Sequence, residues 1–93
     1  MNANDFELVI ASFRNGNTNT FTSHDFINKF VYDFNEQYQE LLNKYKGSKR
    51  ITHSLIANYL RYHASELGIT RNASKAKTFN VNGNVTESRV WSH

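Results

Sequence analysis

Apolar residues in this chain recur at helical spacing in three blocks as far as Leu67, and then cluster on either side of Asn82-Gly83-Asn84. A period near 3.6 buries one stripe of a helix, and a period of 2 buries one face of a strand. The change of pattern splits the chain into a helical part and a C-terminal hairpin. The expected class is therefore α+β, three helices followed by a β-hairpin. Ninety-three residues make one domain spanning 1–93, and a domain of that size buries only about 60–65% of its unfolded surface. Seven Phe, five Tyr and one Trp offset this by burying a large area per residue.

The first helix is expected from about Asp5 to Arg14. Phe6, Val9, Ile10 and Phe13 fall at i, i+3, i+4 and i+7. Asp5 and Glu7 suit its start, Arg14 its end and Gly16 a stop. Asn15-Gly16-Asn17-Thr18-Asn19-Thr20 then reads as a turn-forming stretch, and Asn19 to Thr22 as a short strand. Thr22 as N-cap with Asp25 three residues on makes a capping box, bracketed by Phe21 and Phe26 as a hydrophobic staple. Helical spacing continues through Phe30, Phe34, Tyr38 and Leu42 to about Tyr45, either as one long helix or as two broken near Asn35, with Gly47 ending it. The third helix is expected to start at Thr52 as N-cap, with Ile51 stapled to Ile56. Leu55, Ile56, Tyr59, Leu60, His63 and Leu67 form its inner face, and Gly68-Ile69 a Schellman ending.

Thr70 to Lys77 is basic and polar, and Thr78–Val81 and Val85–Trp91 read as two strands. Asn-Gly between apolar runs is a strong hairpin signal. A two-residue loop pairs Val81 with Asn84; a three-residue loop pairs Val81 with Val85. The second is preferred because it gathers Phe79, Val81, Val85 and Trp91 on one face. Trp91 is expected to anchor the hairpin to the helices.

Charge is uneven along the chain. Residues 1–47 hold six acidic against four basic side chains, net −2; residues 48–93 hold seven basic against two acidic, net +5. A basic end favours an anionic partner. No Cys is present, which excludes disulfides, thiolate metal sites and a Cys nucleophile. No apolar run reaches the length of a membrane span or a signal-peptide core, so a cytoplasmic location without membrane contact is expected.

Phe21-Thr22-Ser23-His24-Asp25-Phe26 entering the second helix, Ile51-Thr52-His53-Ser54-Leu55-Ile56 entering the third, and Thr78 to Trp91 as a hairpin follow one another in an order that resembles the winged helix-turn-helix superfamily. The departures are a long second helix and a long connection from Lys46 to Ile51. The resemblance implies a third helix lying in the major groove and a hairpin touching the backbone or minor groove. On a helical wheel Ser54, Asn58, Arg61 and Ser65 fall within about 60° of arc, opposite the apolar residues. Arg pairs with guanine, Asn with adenine and Ser with either. Lys49 and Arg50 precede this stripe in sequence, and Arg71, Lys75 and Lys77 follow it, where phosphates would run.

The four His residues show no metal-ligand spacing, and no phosphate-loop or dinucleotide motif occurs. The chain is therefore expected to be no enzyme and to need neither cofactor nor metal. Two functions follow as expectations. The first is a double-stranded DNA-binding module in transcription control or mobile-element maintenance. The second is a protein-interaction or dimerisation domain, suggested by the apolar surplus of Tyr38, Leu41, Leu42 and Tyr45 on the second helix.

Overall fold

Asn2 opens the first helix, its side chain accepting from the Asn4 amide at 2.8 Å, so α1 runs Ala3–Arg14, two residues earlier than the charge pattern suggested. This computed structural model describes residues 2–16 and 18–93; Met1, and Asn17 of the expected turn stretch, lie outside the described residues. Strand β1 (Thr20–Thr22) leads into α2 (Ser23–Asp33). The capping box forms at Thr22 and Asp25, with both hydrogen bonds at 3.0 Å. The staple rings, Phe21 and Phe26, lie 6.2 Å apart.

The long second helix breaks at Phe34, whose φ of −126° and ψ of 48° are not helical, and resumes as α3 (Asn35–Lys44). The break lets the aromatic stripe turn around the core. Tyr38 and Leu42 are buried on α3, so the apolar surplus expected there is absorbed by the fold. Lys46 and Gly47 end α3 with positive φ of 56° and 76°.

The third predicted helix starts earlier than its sequence signal. Ser48 is the N-cap, accepting from the Ile51 amide at 3.2 Å, and α4 runs Lys49–Tyr62. Thr52 is therefore a fully buried residue inside the helix, and Ile51 is exposed on its first turn and forms no staple. Ser is as good a cap residue as Thr, and capping at Ser48 adds a turn of backbone hydrogen bonds. The helix also breaks, at His63, before the short α5 (Ala64–Leu67). There the Schellman ending forms as expected: Gly68 has a φ of 70°, Ile69 donates to Ala64 at 3.0 Å and Gly68 to Ser65 at 3.2 Å. The Arg14 guanidinium reinforces it through the Leu67 and Gly68 carbonyls.

The basic stretch after Gly68 is strand, not loop. Strand β2 runs Thr70–Phe79 and β3 Val85–Ser92, in an antiparallel sheet ordered β1-β3-β2. The register differs from both alternatives: Phe79 faces Val85, and Asn80 donates to Asn84 at 2.9 Å. The Asn80 side chain fixes this loop by accepting from the amides of Asn82 and Asn84. Local Asx hydrogen bonding outweighs the gathering of apolar residues, and Phe79 and Val85 stay exposed. Between Arg71↔Trp91 and Lys75↔Arg89 strand β2 carries two extra residues, a bulge.

The buried apolar residues form one cluster. Phe6 sits at its centre, 4.9 Å from Phe26, 5.5 Å from Phe30 and 4.4 Å from Tyr59, so α1 bridges α2 and α4. Trp91 anchors the sheet, 2% exposed, its indole N–H donating to the Ser23 hydroxyl at 3.0 Å. A buried Trp of this kind is worth about 3–5 kcal/mol against Ala. The described residues contain no helix long and apolar enough to cross a membrane.

Candidate functional site

The hairpin reaches α4 because α2 holds it. The His24 amide donates to the Ser88 hydroxyl at 3.0 Å, its Nδ1 lies 2.9 Å from Thr78 Oγ1, and Asn28 donates to the Phe79 carbonyl. The short strand β1 adds a second tie, pairing Phe21 with Trp91. These contacts set β2 and β3 beside α4 and leave a groove between them.

The groove has two connected parts that share Ser23, Ala57 and Arg89. The larger, about 440 Å³, is bordered by His53 and Ser54 of α4, His24 of α2, and Lys75, Glu87 and Arg89 of the hairpin. The smaller, about 150 Å³, is bordered by Asn58, Arg61, Arg71, Arg89, Ser23 and Trp91. Ser54, Asn58, Arg61 and Ser65 are all exposed. Of the residues singled out from sequence, the groove brings together Ser54, Asn58, Arg61, Arg71 and Lys75. Lys49 and Arg50 are exposed on the first turn of α4, and Lys77 is exposed opposite Glu87. Ser65 lies beyond the break at His63, on α5, and borders neither part of the groove.

Cations outnumber carboxylates along the groove, with Lys75, Arg61, Arg71 and Arg89 against Glu87. Among the described residues the ion pairs are Lys29–Asp33 and His63–Glu66, so none of Lys49, Arg50, Arg61, Arg71, Lys75, Lys77 and Arg89 is neutralised by one. The Arg61 guanidinium lies over the Tyr62 ring at 5.1 Å, both side chains exposed. His53 accepts or donates at Nε2 to the Tyr38 hydroxyl, 2.6 Å away. Burial first, then the charges of Lys49 and His24, push the His53 pKa below its usual range, while burial raises that of Tyr38. A neutral imidazole accepting from a neutral phenol satisfies both shifts.

From sequence, Arg89 reads either as a phosphate contact or as the partner of Glu87 or of a cross-strand residue. The structure bonds its Nη1 to the bulge carbonyls of Asn72 and Ala73, and the register puts it opposite Lys75. Sequence reasoning missed His24, because its place in the groove comes from long-range bonds to Thr78 and Thr86. Comparison with protein-family models, curated proteins and solved structures gives no match.

Proposed function

We propose that this chain is a small nucleic-acid-binding module that docks on double-stranded DNA through α4 and the adjoining hairpin, in the manner of a winged helix. Transcription control or mobile-element maintenance is the setting such a module suits. The observation that carries this reading is the set of unneutralised cations at one end of an exposed polar helix face and across the groove from it. Lys49 and Arg50 lie at one end of α4, and Arg71, Lys75 and Arg89 lie across the groove from Ser54, Asn58 and Arg61. Phosphate contacts position such a protein, and side chains on the helix face read base edges.

The element order supports the analogy, since a short strand, four helical segments (α2 to α5) and a hairpin follow α1. The break at Phe34 shortens the second helix to Ser23–Asp33 and leaves α3 as an additional helix before α4. Selection of duplexes from a random pool tests the reading. The wild type should enrich a short motif, and Asn58→Ala or Arg61→Ala should relax preference at one position, each costing about 1–3 kcal/mol there. A pool that stays random, or a motif unchanged in both variants, refutes it.

A second reading, protein association, is favoured by one observation: Phe79 and Val85 form an exposed cross-strand pair, with Tyr32 also exposed. Single apolar residues on a surface are ordinary, but a contiguous pair suits a partner. Sedimentation over a range of concentrations tests it; a strict monomer that Phe79→Ser leaves unchanged removes self-association.

A further inference from the structure

The smaller part of the groove is built differently from the rest of the surface. Three guanidinium side chains, those of Arg61, Arg71 and Arg89, border a cavity of about 150 Å³ that no carboxylate borders. None of the three has an ion-pair partner among the described residues. Arg89 is half-buried and fixed by the bulge, whose Asn72 and Ala73 carbonyls accept from its Nη1 at 3.2 Å and 3.5 Å. Its remaining nitrogens have no protein acceptor among the described residues. Ser23, more than nine-tenths buried, also borders the cavity. Its hydroxyl accepts from Trp91 at 3.0 Å and finds no acceptor for its own hydrogen among the described residues.

Clustered like charges repel one another, and an anion placed among them relieves that repulsion. Guanidinium forks match the geometry of phosphate oxygens, and a buried hydroxyl donor adds a fixed third contact. We propose that this cavity is a phosphate pocket, in which Arg71 and Arg89 clamp one phosphate group and the Ser23 hydroxyl donates to it. Arg61 borders the pocket from α4 and links it to the base-facing stripe. On the nucleic-acid reading the occupant is a backbone phosphate of the duplex, which sets the register of α4. The inference rests on that reading for the source of the phosphate, and not for the pocket itself.

Trp91 is the only Trp in the chain and borders the pocket, so it reports occupancy. Inorganic phosphate is titrated at constant ionic strength, held with chloride, while Trp91 fluorescence and amide shifts are followed. A saturable millimolar response is expected. Arg71→Gln should weaken it about tenfold or more; the Arg71 side chain is exposed, so the fold is not at stake. Lys44→Gln, on α3 and bordering a different cavity, should leave the response unchanged. A response that tracks ionic strength alone, or equal affinity in Arg71→Gln, overturns the pocket.

A second arm adds a duplex without terminal phosphates. A Trp91 response that inorganic phosphate competes away supports a backbone phosphate as occupant. Duplex binding that leaves Trp91 unmoved overturns the pocket's role and spares the nucleic-acid reading. Phosphate binding with no duplex binding keeps the pocket, points to free phosphate, and sinks that reading instead.

Discussion

Replacing Thr52 by Val should make the protein more stable. Thr52 is fully buried inside α4, its amide is already bonded to the Ser48 carbonyl at 3.1 Å, and its hydroxyl has no partner among the described residues. A buried hydroxyl left unpaired costs about 1–3 kcal/mol. Valine keeps the branched shape and has nearly the same helix propensity, so most of that cost is recovered. Allowing for imperfect packing of the new methyl, the net gain is about 1 kcal/mol, or about 4–8 °C in Tm for a domain of this size. Urea unfolding followed by Trp91 fluorescence should show a higher midpoint with an unchanged slope. Ser48→Ala, which removes the observed N-cap, should lower the midpoint by about 0.5–2 kcal/mol. If Thr52→Val proved destabilising while Ser48→Ala proved neutral, Thr52 would be the cap after all, and the placement of the helix start would be wrong.

Other outcomes follow from the same geometry. Gly68→Ala should cost about 1–2 kcal/mol in a urea titration, because φ there is 70° and a Cβ would sit 2.9 Å from the Arg14 guanidinium that caps α5. Stability should fall as pH drops below about 6.5, the usual His value. The folded state resists protonating His53, so the unfolded chain binds the extra proton in that window, and stability is lost as pH falls through the lowered folded value. Unfolding midpoints measured across that range should flatten in His53→Gln. Tyr38→Phe should cost about 0.5–1.5 kcal/mol by removing the phenol–imidazole bond, and should weaken the pH dependence as well.

What the sequence disclosed well was local. The capping box at Thr22, the Gly68-Ile69 ending and the Trp91 anchor each depend on residues whose chemistry permits few alternatives. It disclosed poorly whatever depended on competition. Ser48 and Thr52 are both good caps, and periodicity alone does not rank them. The hairpin register turned on one Asn80 side chain against four apolar residues, and hydrophobic gathering was the wrong guide there. A break near Asn35 was one of two open alternatives and falls at Phe34; the break at His63 carries no Gly or Pro to announce it. The exposed polar stripe of Ser54, Asn58 and Arg61 on α4 was legible because angle alone defines it, whereas Ser65 falls beyond the break at His63. The place of His24 and the bulge carbonyls that hold Arg89 were not legible, because they arise from contacts between residues 16 or more apart in sequence.

The most direct test of the account is duplex affinity across a salt series, by fluorescence anisotropy, for the wild type and for a variant with Lys49, Arg50, Lys75 and Lys77 all changed to Gln. The account predicts that log affinity falls against log salt with a slope of about −4 to −5, and that the variant binds far more weakly with a shallower slope. Undiminished affinity in the variant, or binding indifferent to salt, would contradict it.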